Sequence, residues 1–293
     1  MKIAAVLLPI LVFAAASALP GQSATASNNQ TAPATNTAPA TKIAQASKAA
    51  KNKKKAEVQL KPFSRLALGG GVGVSGVNLQ AATNVNRHLN LRGYGNVLNY
   101  TANNISVSDF NLDAKIDFAS AGASLDYYPF PTHGLRLSPG VQFYNGNQIT
   151  GNAVGTRGSD IKLNNYDYYS ETALPLTVNA KLGLNRRQQA FTLTTGWGNT
   201  ISRKGGHWSF PFELGAAFTG TPIVNVSLTG YACDTREAAA TVKGASVDCY
   251  NMATNSEAQS NLTTQVNKWK SDLNPLKVYP IFSFGASYAF LIH

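Results

Sequence analysis

Residues 278–292 read VYPIFSFGASYAFLI. Val278, Pro280, Phe282, Phe284, Ala286, Tyr288, Phe290 and Ile292 share one phase, while Ser283, Gly285, Ser287 and Ala289 share the other. A β-strand turns successive side chains to opposite faces, so this segment has one greasy face and one small, polar face. The same texture recurs upstream. Leu66–Val74, Val77–Val85, Leu89–Val97, Ala119–Tyr127, Leu135–Phe143, Phe191–Trp197 and Trp208–Phe218 all alternate, and the final segment brings the count to about eight. Charges fall in the polar phase, at Arg65, Arg92, Asp126, Arg136 and Glu213. Apolar faces outside and polar faces inside describe a barrel in lipid. The expected fold class is all-β: a closed antiparallel up-and-down transmembrane β-barrel of about eight strands, with one short helix in the last long loop. Closure matters because an open sheet edge in hydrocarbon leaves amides unpaired, at several kcal/mol each.

The N-terminal part reads as address and tether. Met1-Lys2, the apolar run Ile3–Ala16 and the small-residue site Ala16-Ser17-Ala18 form a secretory signal peptide over 1–18. Residues 19–62 form an Ala/Thr/Lys-rich periplasmic linker, expected to be disordered from Gln22 to about Thr41. The barrel then occupies 63–293. The formal net charge is +11, and the stretch from Gly21 to Lys61 sets seven lysines against the single acid Glu57. The basic balance therefore belongs largely to the tether and does not point to nucleic acid. Its Lys51–Lys55 cluster is a candidate contact for anionic lipid or cell-wall material, at ~1 kcal/mol per lysine. No long apolar run follows the signal, which argues against a helical membrane protein. Cys233 and Cys249, in a polar stretch of an exported chain, are expected to form a disulfide.

Loop lengths orient the barrel. With both barrel ends in the periplasm, Asn84–Asn90, Phe130–Gly134 and Asn199–His207 are short periplasmic turns. Ser75–Gly76, Thr101–Asn111, roughly 146–178 and roughly 219–276 lie on the far side, where long loops belong. Trp197, Trp208, Tyr127 and Tyr128 are expected in an aromatic girdle at the periplasmic rim. The alternation changes phase near Phe118, either at a bulge or where the strand leaves the bilayer. Val224, Val226 and Leu228 alternate within the last loop, and Leu262, Val266, Trp269 and Leu273 follow at helical spacing. That spacing predicts a helix over 256–273, capped by Asn255 or Ser256 and packed on the barrel rim.

Few residues carry chemistry. Folding the hairpin about Pro131 sets Asp126 opposite Arg136, a cross-strand pair suited to plugging a narrow lumen or to gating an ion path. His207, Ser209 and Glu213 resemble, in their His-x-Ser spacing, the pair used by lipid A 3-O-deacylases, and a hydrolase needs such groups within one reach. His88, His133, His207 and His293 are scattered, and no phosphate-loop, dinucleotide, zinc or peptidase motif is present. No catalytic, cofactor-binding or metal residues are expected.

Ser283-Phe284-Gly285-Ala286-Ser287-Tyr288-Ala289-Phe290 matches the pattern polar-x-Gly-x-x-aromatic-x-aromatic. It resembles the assembly signal of bacterial outer-membrane proteins, carried here by Ser283, Gly285, Tyr288 and Phe290 and displaced three positions from the last residue. Leu125–Phe130, Leu135–Ser138, Gly196–Asn199 and Ser271–Pro280 extend the likeness. Together they resemble small, uncharacterised outer-membrane β-barrel proteins of the OmpA-like transmembrane class. That resemblance implies a Gram-negative outer-membrane location and two partners, the surrounding outer-membrane lipid and the barrel-assembly machinery. It is nearly silent on activity. The expected function is structural or surface-exposed without catalysis. A narrow porin-like channel or small-molecule transporter is the alternative, followed by a lipid-acting hydrolase and a soluble barrel carrier.

Overall fold

The computed structural model describes residues 61–107, 109–186, 188–203, 206–240 and 248–292. The signal peptide expected at 1–18 and nearly all of the linker expected at 19–62 lie outside them. Eight antiparallel strands form a ring: β1 (Arg65–Gly73), β2 (Gly76–Asn84), β3 (Leu89–Val107), β4 (Phe110–Tyr127), β5 (Arg136–Asn145), β10 (Ala190–Trp197), β12 (Phe212–Phe218) and β16 (Val278–Leu291). Each pairs with its neighbour in the chain's ring order, and β1 pairs with β16 from Arg65↔Leu291 to Gly73↔Ser283. These are the strands the alternation indicates. The strand expected over Trp208–Phe218 is interrupted at Pro211, which lacks the N–H the ladder needs. Its first piece, β11 (Trp208–Ser209), pairs with β16 in the same register as β12 does beyond the gap.

The barrel is turned inside out relative to a soluble one. Leu68, Val72, Leu79, Leu91, Val97, Leu125, Phe143, Phe191, Leu214 and Phe284 are exposed on its outer face, while Gln80, Arg92, Ser124, Ser138, Thr192 and Thr194 are buried within it. A contiguous apolar band of this extent on a monomer marks a surface that meets another apolar phase.

Part of the barrel wall continues upward. β6 (Gln148–Gly155) prolongs β5 along β4, β9 (Thr177–Gly183) pairs with β6, and β13 (Ile223–Thr229) pairs with β9. The upper parts of β3 and β4 join them in a five-stranded projecting sheet. The expected loop at Thr101–Asn111 is therefore mostly hairpin. Its signal is broken by a register shift between Ala102 and Ile105, where Asn104 takes φ 55° and its N–H donates to Asp113 Oδ1 at 2.8 Å.

β4 resolves the change of phase. It pairs with β3 without irregularity at Phe118, so the bulge reading does not hold there. Even-numbered residues point inward along its length, buried except for the half-buried Phe110 and Phe118, polar below (Ser120, Ser124, Asp126) and apolar above (Leu112, Ala114, Ile116). Odd-numbered residues face out, apolar below (Ala119–Tyr127) and polar above (Asn111, Asp113, Lys115, Asp117). The strand keeps its faces while the surroundings exchange polarity between Asp117 and Ala119.

The inner face of the projecting sheet carries the largest apolar core. Val178 and Leu228 pack with Ile161, Leu163, Tyr168, Leu176, Met252, Ala258 and Leu262. These come partly from a second sheet of β7 (Asp160–Leu163), β8 (Tyr166–Ser170), β14 (Tyr231–Cys233) and β15 (Cys249–Asn251). A short helix, α1 (Arg236–Ala239), follows β14, and Cys233 and Cys249 are joined across the β14–β15 pair. The longer helix, α2 (Ser256–Asp272), is capped by Asn255, whose side chain accepts from Ala258 N. It packs through Ala258 and Leu262 into this cap core, not on the barrel rim as its spacing alone suggested. Its apolar side matches the inner face of β13, which lies beside it.

The β1–β16 seam depends on small residues. A Cβ at Gly71 would collide with the Phe284 carbonyl and with Gly285 opposite, whereas one at Gly93 meets nothing within 4 Å. Gly71→Val should destabilise the folded barrel by an overpacking cost of about 1–3 kcal/mol, seen as a lower thermal midpoint in its heat-dependent gel mobility. Gly93→Val should leave that midpoint close to wild type.

Candidate functional site in the barrel lumen

An eight-stranded barrel has room inside for side chains and little else. Here β1 and β16 line it with Gly69, Gly71, Gly73, Ser283, Gly285 and Ser287, and the long side chains reach in from the other strands. Arg92 of β3, Asp126 of β4, Arg136 of β5 and Glu213 of β12 meet in the middle, all buried. Arg92 grips Glu213 with two parallel bonds, Nη1 to Oε2 at 2.6 Å and Nη2 to Oε1 at 3.0 Å, and its Nε donates to Asp126 Oδ1 at 3.1 Å. Arg136 Nη2 donates to Glu213 Oε2 at 2.9 Å, and Thr194 Oγ1 donates to Oε1 at 2.6 Å. Glu213 thus accepts four bonds from three residues. Two cations and two anions leave the quartet formally neutral, which is what a low-dielectric interior requires.

The pairing differs from the one the Pro131 fold predicts. β4 and β5 pair with Ser124 opposite Gly140 and Tyr127 opposite Leu137, a register two residues away from that expectation. The connection over 128–135 is wider than a tight turn at Pro131. Asp126 consequently bonds Arg92, and Arg136 bonds Glu213. Arg65 lies away from the quartet and donates through Nη1 to Ser202 O at 2.7 Å.

That contact belongs to a second feature, the turn between β10 and β11, which folds back into the lumen. Ile201 is fully buried against Ala67, Ala82 and Ala289. Thr200 N donates to Tyr128 Oη at 3.3 Å, Arg136 Nη1 donates to Thr200 Oγ1 at 2.9 Å, and Ser287 Oγ donates to Thr200 O at 2.8 Å. Arg203 lies over the Tyr128 ring at 4.7 Å and donates to Asn90 Oδ1 at 2.9 Å. Burial is the main influence lowering the Arg203 pKa from its ordinary value, and the guanidinium remains a cation. Tyr128 is therefore an interior residue with 0% exposure, while Tyr127, Trp197 and Trp208 are exposed at the rim. The pattern Tyr-Tyr hides this difference, because adjacent strand residues face opposite ways. Between the turn and the upper mouth, the space beside Arg92, Tyr94, Thr194 and Glu213 amounts to ≈ 30 Å³, enough for a water molecule or two.

His207, Ser209 and Glu213 do not assemble. His207 Nδ1 lies 2.8 Å from Ala289 O with its ring stacked on Tyr288, Ser209 Oγ donates to Asn199 O, and Glu213 is occupied by the arginines. Among the described residues no group of three or more His, Cys, Asp and Glu side chains is placed to hold a metal ion, and no helix is long and apolar enough to cross a membrane.

Thr200, Ile201 and Arg203 escape a reading by motif. The available signal was Ile201, a single large apolar residue in the polar run Gly198–Gly206.

A solved structure shares this fold. Acinetobacter baumannii CarO2 superposes with a TM-score of 0.52 at 15% identity, covering 78% of this chain and 100% of that one. Acinetobacter baumannii CarO gives a TM-score of 0.48 at 19% identity over 79% of this chain and 99% of that one. No family model matches the chain, and no curated protein matches it in sequence.

Truncating the hub should be costly. Glu213→Ala leaves two buried guanidiniums without their shared carboxylate and should destabilise the barrel by about 3–5 kcal/mol in urea titration. Asp113→Ala, on the exposed face above, should cost under about 1 kcal/mol in the same titration.

Proposed function

We propose that the chain is an integral outer-membrane β-barrel of the OmpA-like transmembrane kind whose lumen is sealed, and that it acts as a structural or surface protein through its cap rather than as a catalyst. The observation that carries this reading is the double seal: the Arg92–Glu213–Arg136–Asp126 quartet above and the Thr200–Arg203 turn below, with a space of only ≈ 30 Å³ beside Arg92 and Glu213. The apolar outer band supports insertion into lipid, and the long connections at the cap end support placing that end outside the cell. Ser283 and Gly285 face the lumen while Tyr288 and Phe290 face out, the disposition expected of an assembly signal read by the barrel-assembly machinery. The Lys-rich tether would then lie in the periplasm, in reach of cell wall and inner-leaflet lipid.

A second reading, a narrow channel or transporter, draws on one observation. The lower seal is a connecting turn held by hydrogen bonds, not barrel wall, and a turn can swing out. Planar bilayers separate the two. Purified wild-type protein should insert without producing discrete conductance steps at molar salt. Reproducible steps from the wild-type protein would favour the channel.

A further inference from the structure

The outer face of the projecting sheet holds a cleft of ≈ 460 Å³, apart from the barrel lumen. A volume of this size suits a small-molecule or headgroup ligand. The cleft lies on the same face of the same strands that is apolar lower down. β4 carries Lys115 there, four residues above Ala119, and a rise of about 3.4 Å per residue along tilted strands sets Lys115 roughly 10 Å above the end of the apolar band. The position is therefore that of the polar headgroups surrounding an inserted barrel.

The side chains are arranged in register. Thr101, Lys115, Thr150, Lys181 and Asn225 lie directly across from one another on five successive strands. Lys115 and Lys181 flank Thr150 two strand spacings apart, about 10 Å. In the adjacent row Asn152 donates to Asn179 at 2.6 Å. The acids nearby are engaged within the protein, Asp113 by Asn104 N at 2.8 Å and Asp117 by Gln148 Nε2 at 3.4 Å and, more loosely, Lys115 at 4.0 Å. Exposed cations alternating with hydroxyl and amide groups match a ligand that combines anionic phosphate with sugar hydroxyls.

We propose that this cleft binds the phosphorylated sugar headgroup of an outer-leaflet glycolipid. The proposal rests on membrane insertion, and it commits to a lipid rather than a free anion because the cleft continues the lipid-facing surface. Lys115 and Lys181 bind phosphate, and the Thr150 hydroxyl and the Asn152, Asn179 and Asn225 amides bind sugar oxygens.

Native mass spectrometry of the full chain in detergent tests it, with bisphosphorylated lipid A carrying its inner-core sugars as the probe. Folding and insertion are checked first by heat-dependent gel mobility and by reconstitution into phosphatidylcholine nanodiscs, so a failure to insert reports on the membrane reading and not on the cleft. Wild type should bind the probe with an affinity at least tenfold above that of Lys115→Ala/Lys181→Ala. Lys162→Ala/Lys268→Ala, which removes the same charge elsewhere on the cap, should bind as wild type does. Dephosphorylated lipid should bind wild type as weakly as the probe binds the first variant, and millimolar inorganic phosphate should not compete. Equal binding by both double variants, equal binding of the dephosphorylated lipid, or full competition by inorganic phosphate would each overturn the proposal.

Discussion

The antiparallel pairing of β1 with β16 is the constraint on which the remainder depends. It joins the two ends of the ring over Arg65–Gly73 and Ser283–Leu291 and saturates two strand edges that hydrocarbon could not tolerate. Above Arg65, at the seam's lower end, the close approach restricts the inner side of the seam to glycine, alanine and serine. That wall of small residues leaves space in the lumen, and the space is taken by Arg92, Arg136, Asp126 and Glu213 reaching across from four other strands. The ion quartet and the seam are thus two consequences of one packing problem. A narrow barrel must be filled, and a closed one has small residues on one side and long ones on the other.

Above Phe118 the same strands solve the opposite problem. β4 presents one continuous buried face, lined with Ser120, Ser124 and Asp126 below and with Leu112, Ala114 and Ile116 above. Below, the apolar phase lies outside and the interior must be neutralised ion by ion. Above, water lies outside, and the interior can be an ordinary hydrophobic core built from Tyr168, Leu176, Leu228, Met252 and Leu262. The cap therefore gains stability from burial of apolar area, whereas the barrel gains it from closed hydrogen bonding and from ion pairing with little net charge.

Much of this was legible in the sequence because a barrel in lipid writes its period onto every strand. All eight ring strands are visible as alternation, as are the helix at Ser256–Asp272 and the inward phase of the five charged residues. The partners of those charges were not. A register two residues away puts Asp126 beside Arg92 instead of Arg136, and hairpin arithmetic cannot see the width of the turn at 128–135. The strands β6 to β9 resemble loop in sequence because they are short, rich in Asn, Gly and Thr, and half-buried on a sheet that exists only where the wall is prolonged. The lumenal turn was hidden for a related reason. Ile201 is buried by residues distant in sequence, and nothing in its immediate neighbours announces it.

The exchange of polarity along β4 can be measured directly. Single nitroxide labels at each position from Asn111 to Tyr127, on protein reconstituted in lipid, report their collision rates with oxygen, which concentrates in hydrocarbon, and with a water-soluble nickel chelate. Odd positions from Ala119 to Tyr127 should favour oxygen, odd positions from Asn111 to Asp117 should favour nickel, and even positions should be shielded from both. Nickel access at Ala119, Ala121 and Ala123 equal to that at Lys115 would contradict the account, because the outer face of the barrel would then stand in water.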